Sequence, residues 1–352
     1  MRKLDVVVGA QFGSEAKGHV TQQIIKASSP HDDGLNIRVA GPNAGHTAYD
    51  AANRKWPFRQ LPVAMVTDTK WMNAIAAGSE VDPDVLLSEI DMVRSVHDRL
   101  AGDRLIVDPQ ATVLTPEHRD AEAKASLTAN VGSTGKGIGA ARSDRIMRKA
   151  GIVGDDKFLI HQLEQRGVRI GEVARLVDDV DHIIIEGTQG YGLGLHAGYY
   201  PYCTSSDCRA IDFLAMAGIN PWQEWMSDED FTIWAVARVH PIRVAGNSGP
   251  LQNETTWEAL GLPAEKTTVT QKIRRVGDWD PDLVRAAVSA NGGPVPVVLA
   301  ITMLDQKFPA DAGKDDARAL TSEALNWLHQ VAHTTRTGIR MVTTSPTTAI
   351  RL

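Results

Sequence analysis

The stretch Gly9-Ala-Gln-Phe-Gly-Ser-Glu-Ala-Lys-Gly-His19 decides the predicted fold, because it connects an apolar run at 4–8 to a helix-compatible segment at 20–26. A strand, a glycine-rich turn, a lysine and a helix together are typical of a phosphate-binding site. Glycines let backbone N–H groups approach the anion, the helix N-terminus adds partial positive charge, and the lysine adds a full charge. The stretch does not match the Walker A pattern GxxxxGK[ST]. Taken alone, it is equally typical of a plain tight turn.

A second glycine-rich stretch, Gly41-Pro-Asn-Ala-Gly-His-Thr47, follows the next apolar segment. It places a histidine among glycines, which favours a binding site over a simple turn. Further loops rich in glycine or hydroxyl groups follow at 132–139, 187–190, 191–207 and 267–277.

The remaining chain alternates short apolar runs with helix-compatible segments. We predict strands at 37–40, 105–107, 182–186, 231–239, 296–302 and 339–343, with a further apolar segment at 71–77. Helices are predicted at 82–100, 117–126, 142–149, 156–165, 209–217, 281–290 and 317–331, and residues 53–62 are predicted to be irregular. This alternation predicts an α/β fold with a mostly parallel central sheet flanked by helices. No linker or repeat divides the sequence, so we expect a single domain, 1–352.

The predicted loops repeatedly follow strands. In open parallel sheets, ligands bind beyond the carboxyl ends of the strands, so these loops are expected to share one cleft. The side chains expected there are Ser14, Lys17, His46, Thr134, Gln189, Thr204, Lys272, Arg274 and Asp305.

Composition excludes several classes of function. The chain has 352 residues, 43% hydrophobic and 23% charged, which is typical of a globular enzyme. A net charge of −6 argues against a nucleic-acid partner, because no global basic field is present. Cys203 and Cys208 match no metal-ligand pattern and are expected to be reduced. No apolar run has the length of a membrane span and no signal-peptide pattern is present, so we expect a cytoplasmic protein without a membrane partner.

Seven motifs occur in the order expected for adenylosuccinate synthetases: GAQFGSEAKG, NAGHT, GSTGKGIG, EGTQG, PYCTSS, TTVTQKIRR and TMLD. The chain resembles this family over essentially its whole length. The resemblance implies a P-loop NTPase-like adenylosuccinate synthetase fold and a ligase that joins L-aspartate to C6 of a purine nucleotide. A nucleoside triphosphate, with Mg²⁺, first phosphorylates the 6-oxo group, and the aspartate amine then displaces that phosphate.

The resemblance also implies a role for each matching residue. The catalytic positions would be Ser14, Lys17 and His46, with His46 as general acid or electrostatic stabiliser. Mg²⁺ would lie at Ser14 and the Gly45 carbonyl. The donor nucleotide would contact Gly13, Glu15, Ala16, Lys17, Gly18, Gly45, His46, Thr47, Arg274, Asp305 and Ser345. The nucleotide substrate would contact Ser14, Asn43, Ala44, Thr134, Gln189, Thr204 and Lys272, and also Arg148 from the second subunit of a homodimer. Aspartate would contact Val269, Thr270, Arg274 and Arg275.

The first loop departs from the family pattern GDEGKG, whose aspartate removes the N1 proton of the purine and ligates Mg²⁺. This chain has Ser14 there, and a serine hydroxyl is far too weak a base for that task at neutral pH. Serine is also smaller and neutral, which leaves room beside N1 and C2 for a 2-amino group such as that of guanine. In this respect the chain resembles the bacteriophage branch of the family, the 2-aminoadenylosuccinate synthetases, which act on dGMP on the way to diaminopurine DNA.

Two further departures concern the phosphate donor and the ribose. The family motif Thr-Lys-Leu-Asp recognises the guanine of GTP, but this chain reads Thr302-Met-Leu-Asp305 and has Ser345 where glycine is usual. Both changes favour ATP or dATP over GTP. Lys272 stands where the family has an arginine near the substrate ribose.

Three hypotheses follow from the sequence. The first is a ligase that uses dGMP, L-aspartate and ATP or dATP. The second is an ordinary adenylosuccinate synthetase that uses IMP and GTP. The third is a catalytically silent nucleotide-binding homologue.

Overall fold

The computed structural model describes residues 2–29, 33–67, 70–97, 104–222, 230–267 and 272–352. Its strands are β1 (Lys3–Gly9), β2 (Gly34–Arg38), β3 (His46–Tyr49), β4 (Lys55–Phe58), β5 (Met72–Ile75), β6 (Glu80–Val81), β7 (Leu105–Val107), β8 (Thr112–Val113), β9 (Arg169–Ile170), β10 (His182–Glu186), β11 (Phe231–Arg238), β12 (Ile242–Arg243), β13 (Glu254–Thr255), β14 (Arg275–Gly277), β15 (Val297–Thr302), β16 (Ile339–Thr343) and β17 (Ala349–Arg351).

The helices alternate with these strands along the chain. They are α1 (Lys17–Lys26), α2 (Pro83–Arg94), α3 (Pro116–Lys124), α4 (Leu127–Val131), α5 (Ile138–Ile146), α6 (Lys157–Glu164), α7 (Ala210–Ala217), α8 (Pro281–Ala290), α9 (Leu304–Lys307) and α10 (Ser322–Thr335). None of the helices in the described residues has the length and hydropathy needed to cross a bilayer.

A ten-stranded sheet dominates the described part of the chain, in the order β17-β16-β15-β11-β1-β10-β2-β5-β7-β9. Every neighbouring pair in it is parallel except β16 and β17. The predicted α/β architecture with a mostly parallel sheet is therefore confirmed.

Hydrophobic side chains fill both faces of the sheet, because successive strand residues point to opposite sides. On one face Val6 and Val8 pack in a core that includes side chains of α7, α8 and α10. On the other face Val7 packs in a core that includes side chains of α1, α2 and α6. Burial on both faces explains why the parallel strands read as continuous apolar runs.

Some element boundaries differ from prediction. Residues 53–62 were predicted to be irregular, but β4 pairs with β3 in an antiparallel hairpin, in which Trp56 and Phe58 are buried. Helix α5 begins at Ile138 rather than at 142, because Gly137 adopts a left-handed φ of 81° that lets the chain enter the helix directly. Helix α10 was predicted to begin at 317. It begins at Ser322, because the Thr321 side chain caps the helix N-terminus.

The carboxyl ends of β1, β2, β10, β11 and β15 lie side by side, because these strands are neighbours and parallel. The loop at 10–16 after β1 therefore has the loops after β10 and β11 on either side of it. The hairpin of β3 and β4 and the loop at 187–190 border the same edge. This edge contains most of the residues that the sequence predicted to converge.

Candidate active site

The loop between β1 and α1 has a tightly determined backbone. Gly13 has a φ of +100°, and a Cβ atom there would lie 3.1 Å from Cα of Gln189. Ala16 has a φ of 61°, a left-handed conformation that L-residues adopt at a cost. The side chain of Glu15 lies inside the loop, where it accepts from the backbone N–H of Gln11 (3.2 Å) and of Gly13 (2.7 Å). The Glu15 carboxylate thus stabilises the tight conformation of the loop through these two hydrogen bonds.

Lys17, the first residue of α1, is buried and uses its ammonium group fully. Its Nζ donates to the carbonyl of Gly13 at 2.9 Å, to the carbonyl of Gln189 at 2.6 Å and to Oε2 of Glu15 at 2.8 Å. An ammonium group has three donors, and all three are engaged here. Lys17 therefore joins the loop after β1 to the loop after β10 and places a positive charge at the N-terminus of α1.

His46 begins β3 and lies against α1, since a Cβ atom on Gly18 would come within 2.9 Å of Cβ of His46. Its Nδ1 contacts Oε1 of Glu186 and, at 2.7 Å, Nη1 of Arg38. Nδ1 can donate to Glu186 when it carries a hydrogen and accept from Arg38 when it does not, so the two partners hold the ring in either tautomer. Arg38 and Glu186 also form an ion pair with each other, in which Nη1 of Arg38 lies 2.5 Å from Oε1 of Glu186.

Burial and the neighbouring charges together set the charge states of His46 and Glu186. Burial and then the neighbouring Arg38 lower the pKa of His46 to about 4, so the ring is neutral at pH 7. Burial alone would raise the pKa of Glu186, but Arg38 and His46 hold that pKa below its ordinary value. The result is a neutral imidazole beside a charged Arg38–Glu186 pair. In the tautomer whose Nδ1 accepts from Arg38, Nε2 carries the hydrogen and can donate to developing negative charge.

Ser14 contacts a cation from a distant part of the chain. Its Oγ accepts from Nη1 of Arg274 at 2.5 Å. Burial, against the attraction of Glu265, lowers the pKa of Arg274, but arginine remains charged at neutral pH. Since a hydroxyl oxygen has two lone pairs, one acceptor position on Ser14 remains for another donor.

The other predicted residues occupy varied surroundings. Asn43, Ala44 and Thr204 are half-buried, whereas Thr134, Lys272 and Arg148 are exposed. Arg148 follows α5 with a left-handed φ of 61°. Asp305 lies in α9, where burial raises its pKa, and Ser345 accepts from the backbone N–H of Thr347 (3.2 Å) and Thr348 (3.0 Å). Val269 and Thr270 lie outside the described residues.

The guanidinium of Arg275 binds groups close to it in the fold. Its Nε and Nη2 lie 2.7 and 2.6 Å from the carboxylate oxygens of Glu254, and its Nη1 donates to the Gly249 carbonyl at 2.7 Å. Arg274 is the cation of this segment that faces the loop after β1.

Sequence reasoning missed the buried charges around the predicted residues. Arg38 and Glu186 stand at the ends of β2 and β10, and Arg238 stands at the end of β11. Each is a charged residue at the carboxyl end of a mostly apolar strand. That pattern is a usable signal, because the strand ends of a parallel sheet border the ligand cleft.

The described residues offer Mg²⁺ few charged ligands. Within them, no group of three or more His, Cys, Asp or Glu side chains is arranged to hold a metal ion. The exposed Gly45 offers a neutral carbonyl oxygen. The Ser14 hydroxyl already accepts from Arg274, and its one remaining lone pair cannot serve both Mg²⁺ and an N–H donor of the purine. Mg²⁺ in nucleotide enzymes takes much of its coordination from substrate phosphates and water. The residues present fit a Mg²⁺ ion that is held mainly by the donor's phosphates.

Comparison with known proteins gives consistent matches. The family model described as adenylosuccinate synthetase matches residues 6–169 and 159–308. A protein of Vibrio phage phiVC8 named N6-succino-2-amino-2'-deoxyadenylate synthase is 36% identical over 289 residues, covering 78% of this chain and 79% of its own. The adenylosuccinate synthetase of Methanococcus vannielii is 33% identical over 349 residues, covering 97% of this chain and 96% of its own.

A solved structure agrees with these sequence matches. Cyanophage S-2L succinoaminodeoxyadenylate synthetase, bound to dGMP and to dATP as an energy donor, superposes with a TM-score of 0.80 at 26% identity, covering 98% of this chain and 93% of that chain. Adenylosuccinate synthetase from Plasmodium falciparum also gives a TM-score of 0.80, at 18% identity, over 99% of this chain and 100% of that chain. At that identity, the second match speaks to the fold alone.

Proposed function

Because the chain belongs to the adenylosuccinate synthetase family and is a ligase of that type, we propose that it joins L-aspartate to C6 of dGMP. ATP or dATP, with Mg²⁺, would serve as phosphate donor. The products would be N6-succino-2-amino-2'-deoxyadenylate, ADP or dADP, and phosphate.

The observation that carries this proposal is the environment of Ser14. The position is neutral, and its hydroxyl accepts from Arg274 at 2.5 Å while retaining one lone pair. A guanine 2-amino group supplies the donor that this lone pair needs. The Vibrio phage and cyanophage relatives, whose names specify the 2-amino-deoxyadenylate product, support the same reading.

In the first step, the 6-oxygen of guanine attacks the γ-phosphorus of the donor. A bond forms between O6 and phosphorus, and the bond from phosphorus to the β,γ-bridging oxygen breaks. The N1 proton passes to water, because the Ser14 hydroxyl is too weak a base to accept it. The backbone N–H groups at the start of α1 and the charge of Lys17 would stabilise the donor phosphates. His46, neutral and held by Glu186 and Arg38, would hydrogen-bond to the transferred group. When bound, Mg²⁺ supplies charge neutralisation for the phosphates.

In the second step, the aspartate amine attacks C6, the C6–O bond breaks, and the 6-phosphate leaves with the bond electrons and takes up the proton that the amine loses. Arg274, beside Ser14, would orient a carboxylate of aspartate next to the purine ring. Val269 and Thr270 would complete that site, and Arg275 would join them by exchanging Glu254 for the aspartate carboxylate. Guanidinium groups bind carboxylates in a planar two-point geometry, so they orient the amine as well as attract the substrate.

The nucleotide substrate would be held by polar groups along the same edge. These are Asn43, Ala44, Thr134, Gln189, Thr204 and Lys272. Arg148 is exposed at the end of α5, and we propose that it reaches the phosphate of dGMP bound to the second subunit of a homodimer. Asp305 and Ser345 would face the donor base.

The second candidate function is that of an ordinary adenylosuccinate synthetase, which acts on IMP with GTP. It is favoured by the archaeal relative that matches nearly the whole chain at 33% identity. Under this alternative, as with dGMP, a group other than residue 14 must accept the N1 proton.

A phosphate-release assay tests the proposal directly. Protein, L-aspartate and Mg²⁺ are combined with dGMP, GMP, dIMP or IMP, and each is crossed with ATP, dATP or GTP. Turnover with dGMP and an adenine donor is the expected result. Turnover only with IMP and GTP would establish the alternative, and phosphate release in none of the mixtures would leave a silent nucleotide-binding protein.

A further inference from the structure

Arg238 is a buried cation at the end of β11 whose guanidinium contacts three different segments. Its side chain is 1% exposed. Nη1 and Nη2 lie 3.1 and 2.5 Å from the two carboxylate oxygens of Glu265. Nη2 also lies 3.2 Å from Oε1 of Gln306, and Nη1 lies 3.4 Å from the carbonyl oxygen of Ser14.

These three partners belong to the segments that the proposed reaction needs. Ser14 is in the loop after β1. Gln306 follows Asp305 in α9, which would face the donor base. Glu265 begins a pair of antiparallel arms, 265–267 and 272–274, in which its carbonyl accepts from the backbone N–H of Arg274 at 2.9 Å.

The geometry fixes the loops relative to a rigid strand. The backbone of Arg238 exchanges two hydrogen bonds with the side chain of Gln11, each 3.0 Å long, so the strand end and the loop after β1 are tied together. Gln306 also donates to Oε1 of Glu265 at 3.4 Å. A planar guanidinium holds such partners in one orientation, which the flexible ammonium group of lysine does not do.

The free-energy cost of removing charges from water indicates that stability alone does not explain the Arg238–Glu265 pair. Taking two charges out of water costs several kcal/mol per ion, and a hydrophobic replacement of similar volume is often neutral or stabilising. Nε of Arg238 is also buried without a hydrogen-bond partner among the described residues, which adds to the cost. A buried ion pair is therefore weak evidence for a stabilising role, and its positioning of loops is the property to test.

We propose that Arg238 is a positioning residue that couples the donor site to the aspartate site. Donor bound at Asp305 restrains Gln306, Gln306 and Glu265 share the Arg238 guanidinium, and Glu265 sets the arm that presents Arg274 to aspartate. Donor and aspartate therefore strengthen each other's binding by the same factor, because thermodynamic coupling is reciprocal. This inference rests on the proposed function, from which it takes the two sites.

The test is calorimetric titration of L-aspartate into protein saturated with dGMP, with and without a non-hydrolysable ATP analogue and Mg²⁺. In the wild type, the analogue should tighten aspartate binding by about tenfold or more. Gln306→Met should abolish that increase while leaving aspartate affinity without the analogue within about twofold of wild type. Arg238→Met should abolish the increase and also weaken aspartate binding, and Arg238→Lys should restore part of both.

Two controls separate positioning from folding. Arg238→Met combined with Glu265→Leu removes both charges without leaving one buried alone, so it should fold and still lack the coupling. Arg166→Met removes another two-point arginine pair, with Nε and Nη2 2.8 and 2.9 Å from the oxygens of Asp91, and should leave the coupling intact.

Two results would overturn the inference: no coupling in the wild type, or wild-type coupling in folded Arg238→Met and Gln306→Met. The proposed function is judged separately, by turnover of the wild type with dGMP. Turnover with unchanged coupling in the variants would reject the role of Arg238 and leave the function standing.

Discussion

Nδ1 of His46 faces the carboxylate of Glu186, the last residue of the strand beside β1, and Arg38 completes the contact from the next strand. The two partners come from neighbouring parallel strands, so the ring is fixed by the sheet itself. Its other nitrogen, Nε2, has no hydrogen-bond partner among the described residues and is the atom available to a substrate.

Glu186→Gln should therefore reduce turnover while leaving nucleotide binding in place. The amide keeps the shape of the carboxylate but leaves Arg38 without its counter-charge and makes the orientation of His46 ambiguous. We expect kcat to fall about 100-fold, the scale of losing one general acid–base or positioned group. Steady-state kinetics and calorimetric binding of dGMP measure the two effects.

A matched control lies at the opposite end of the same strand. His182 begins β10, and its Nε2 is 2.6 Å from Oδ2 of the buried Asp5. Asp5→Asn also removes a buried carboxylate from a histidine, at the edge of the sheet away from the cleft. It should lower stability without changing kcat; equal losses of kcat in both variants would count against a local role for Glu186.

Ser14→Asp should shift substrate preference from dGMP toward IMP. A carboxylate at this position would lie within reach of Arg274 and would supply the base that the hydroxyl cannot. The ratio of kcat/KM for dGMP to that for IMP should fall by about tenfold or more, which corresponds to roughly 1.4 kcal/mol.

Ser14→Ala is the control for this change. It removes the hydroxyl and its contact with Arg274 but introduces no base, so dGMP turnover should fall without a gain with IMP. An unchanged dGMP-to-IMP ratio in Ser14→Asp would remove the role of residue 14 in selecting the purine.

Lys17→Met should nearly abolish turnover and destabilise the protein. The ammonium group joins the carbonyls of Gly13 and Gln189, and Glu15 balances its charge. Its removal leaves Glu15 buried without a counter-charge, an uncompensated charge that costs about 3–5 kcal/mol. Chemical denaturation would measure this loss of stability.

A double variant separates the two roles of Lys17. Lys17→Met with Glu15→Gln relieves the uncompensated charge, so stability should recover in part while phosphate release stays absent. Recovery of turnover in the double variant would show that Lys17 acts only in the fold.

Acid should destabilise the protein below pH 6.5 through its buried histidines. Burial, and then Lys26, lowers the pKa of His19 from 6.5 to about 4. The unfolded chain therefore binds the proton first, so the stabilising contribution is complete above pH 6.5 and is lost as the pH falls toward 4. The free energy of unfolding of the wild type should fall between pH 7 and pH 4.5. In His19→Asn that fall should be smaller by about 2 kcal/mol.

Denaturant titrations at several pH values measure that slope. Lys26→Met, which removes the smaller cause of the lowered pKa, should flatten the slope by less than His19→Asn does. Identical slopes in all three proteins would show that His19 does not contribute.

The sequence predicted the central strands because most of them are buried on both faces and read as short apolar runs. The partly exposed β9 and the last strand, β17, were not predicted. The sequence also located the loop after β1, since Gly13 and its neighbours mark a backbone that side chains would obstruct. The hairpin at Lys55–Phe58 was missed because a proline and a lysine in four residues obscure an alternating pattern, in which Trp56 and Phe58 face inward.

The candidate site was less accessible to sequence reasoning. The partners of Ser14 and His46 lie far away along the chain, Arg274 being 260 positions from Ser14 and Glu186 140 positions from His46. No local pattern connects such residues; only the tertiary fold brings them together. Arg38, Glu186 and Arg238 would each have read as an isolated charge at the end of a strand.

Ala16 stands where the family pattern GDEGKG has its second glycine, and it retains the left-handed backbone that glycine adopts freely. A methyl group at this residue reduces the conformations open to the loop in the unfolded chain and in the empty site. In the folded protein the left-handed backbone of Ala16 costs about 1 kcal/mol that glycine would not. If the loop binds the donor phosphates as proposed, less entropy would be lost on binding, so the methyl group of Ala16 would favour affinity at the expense of stability.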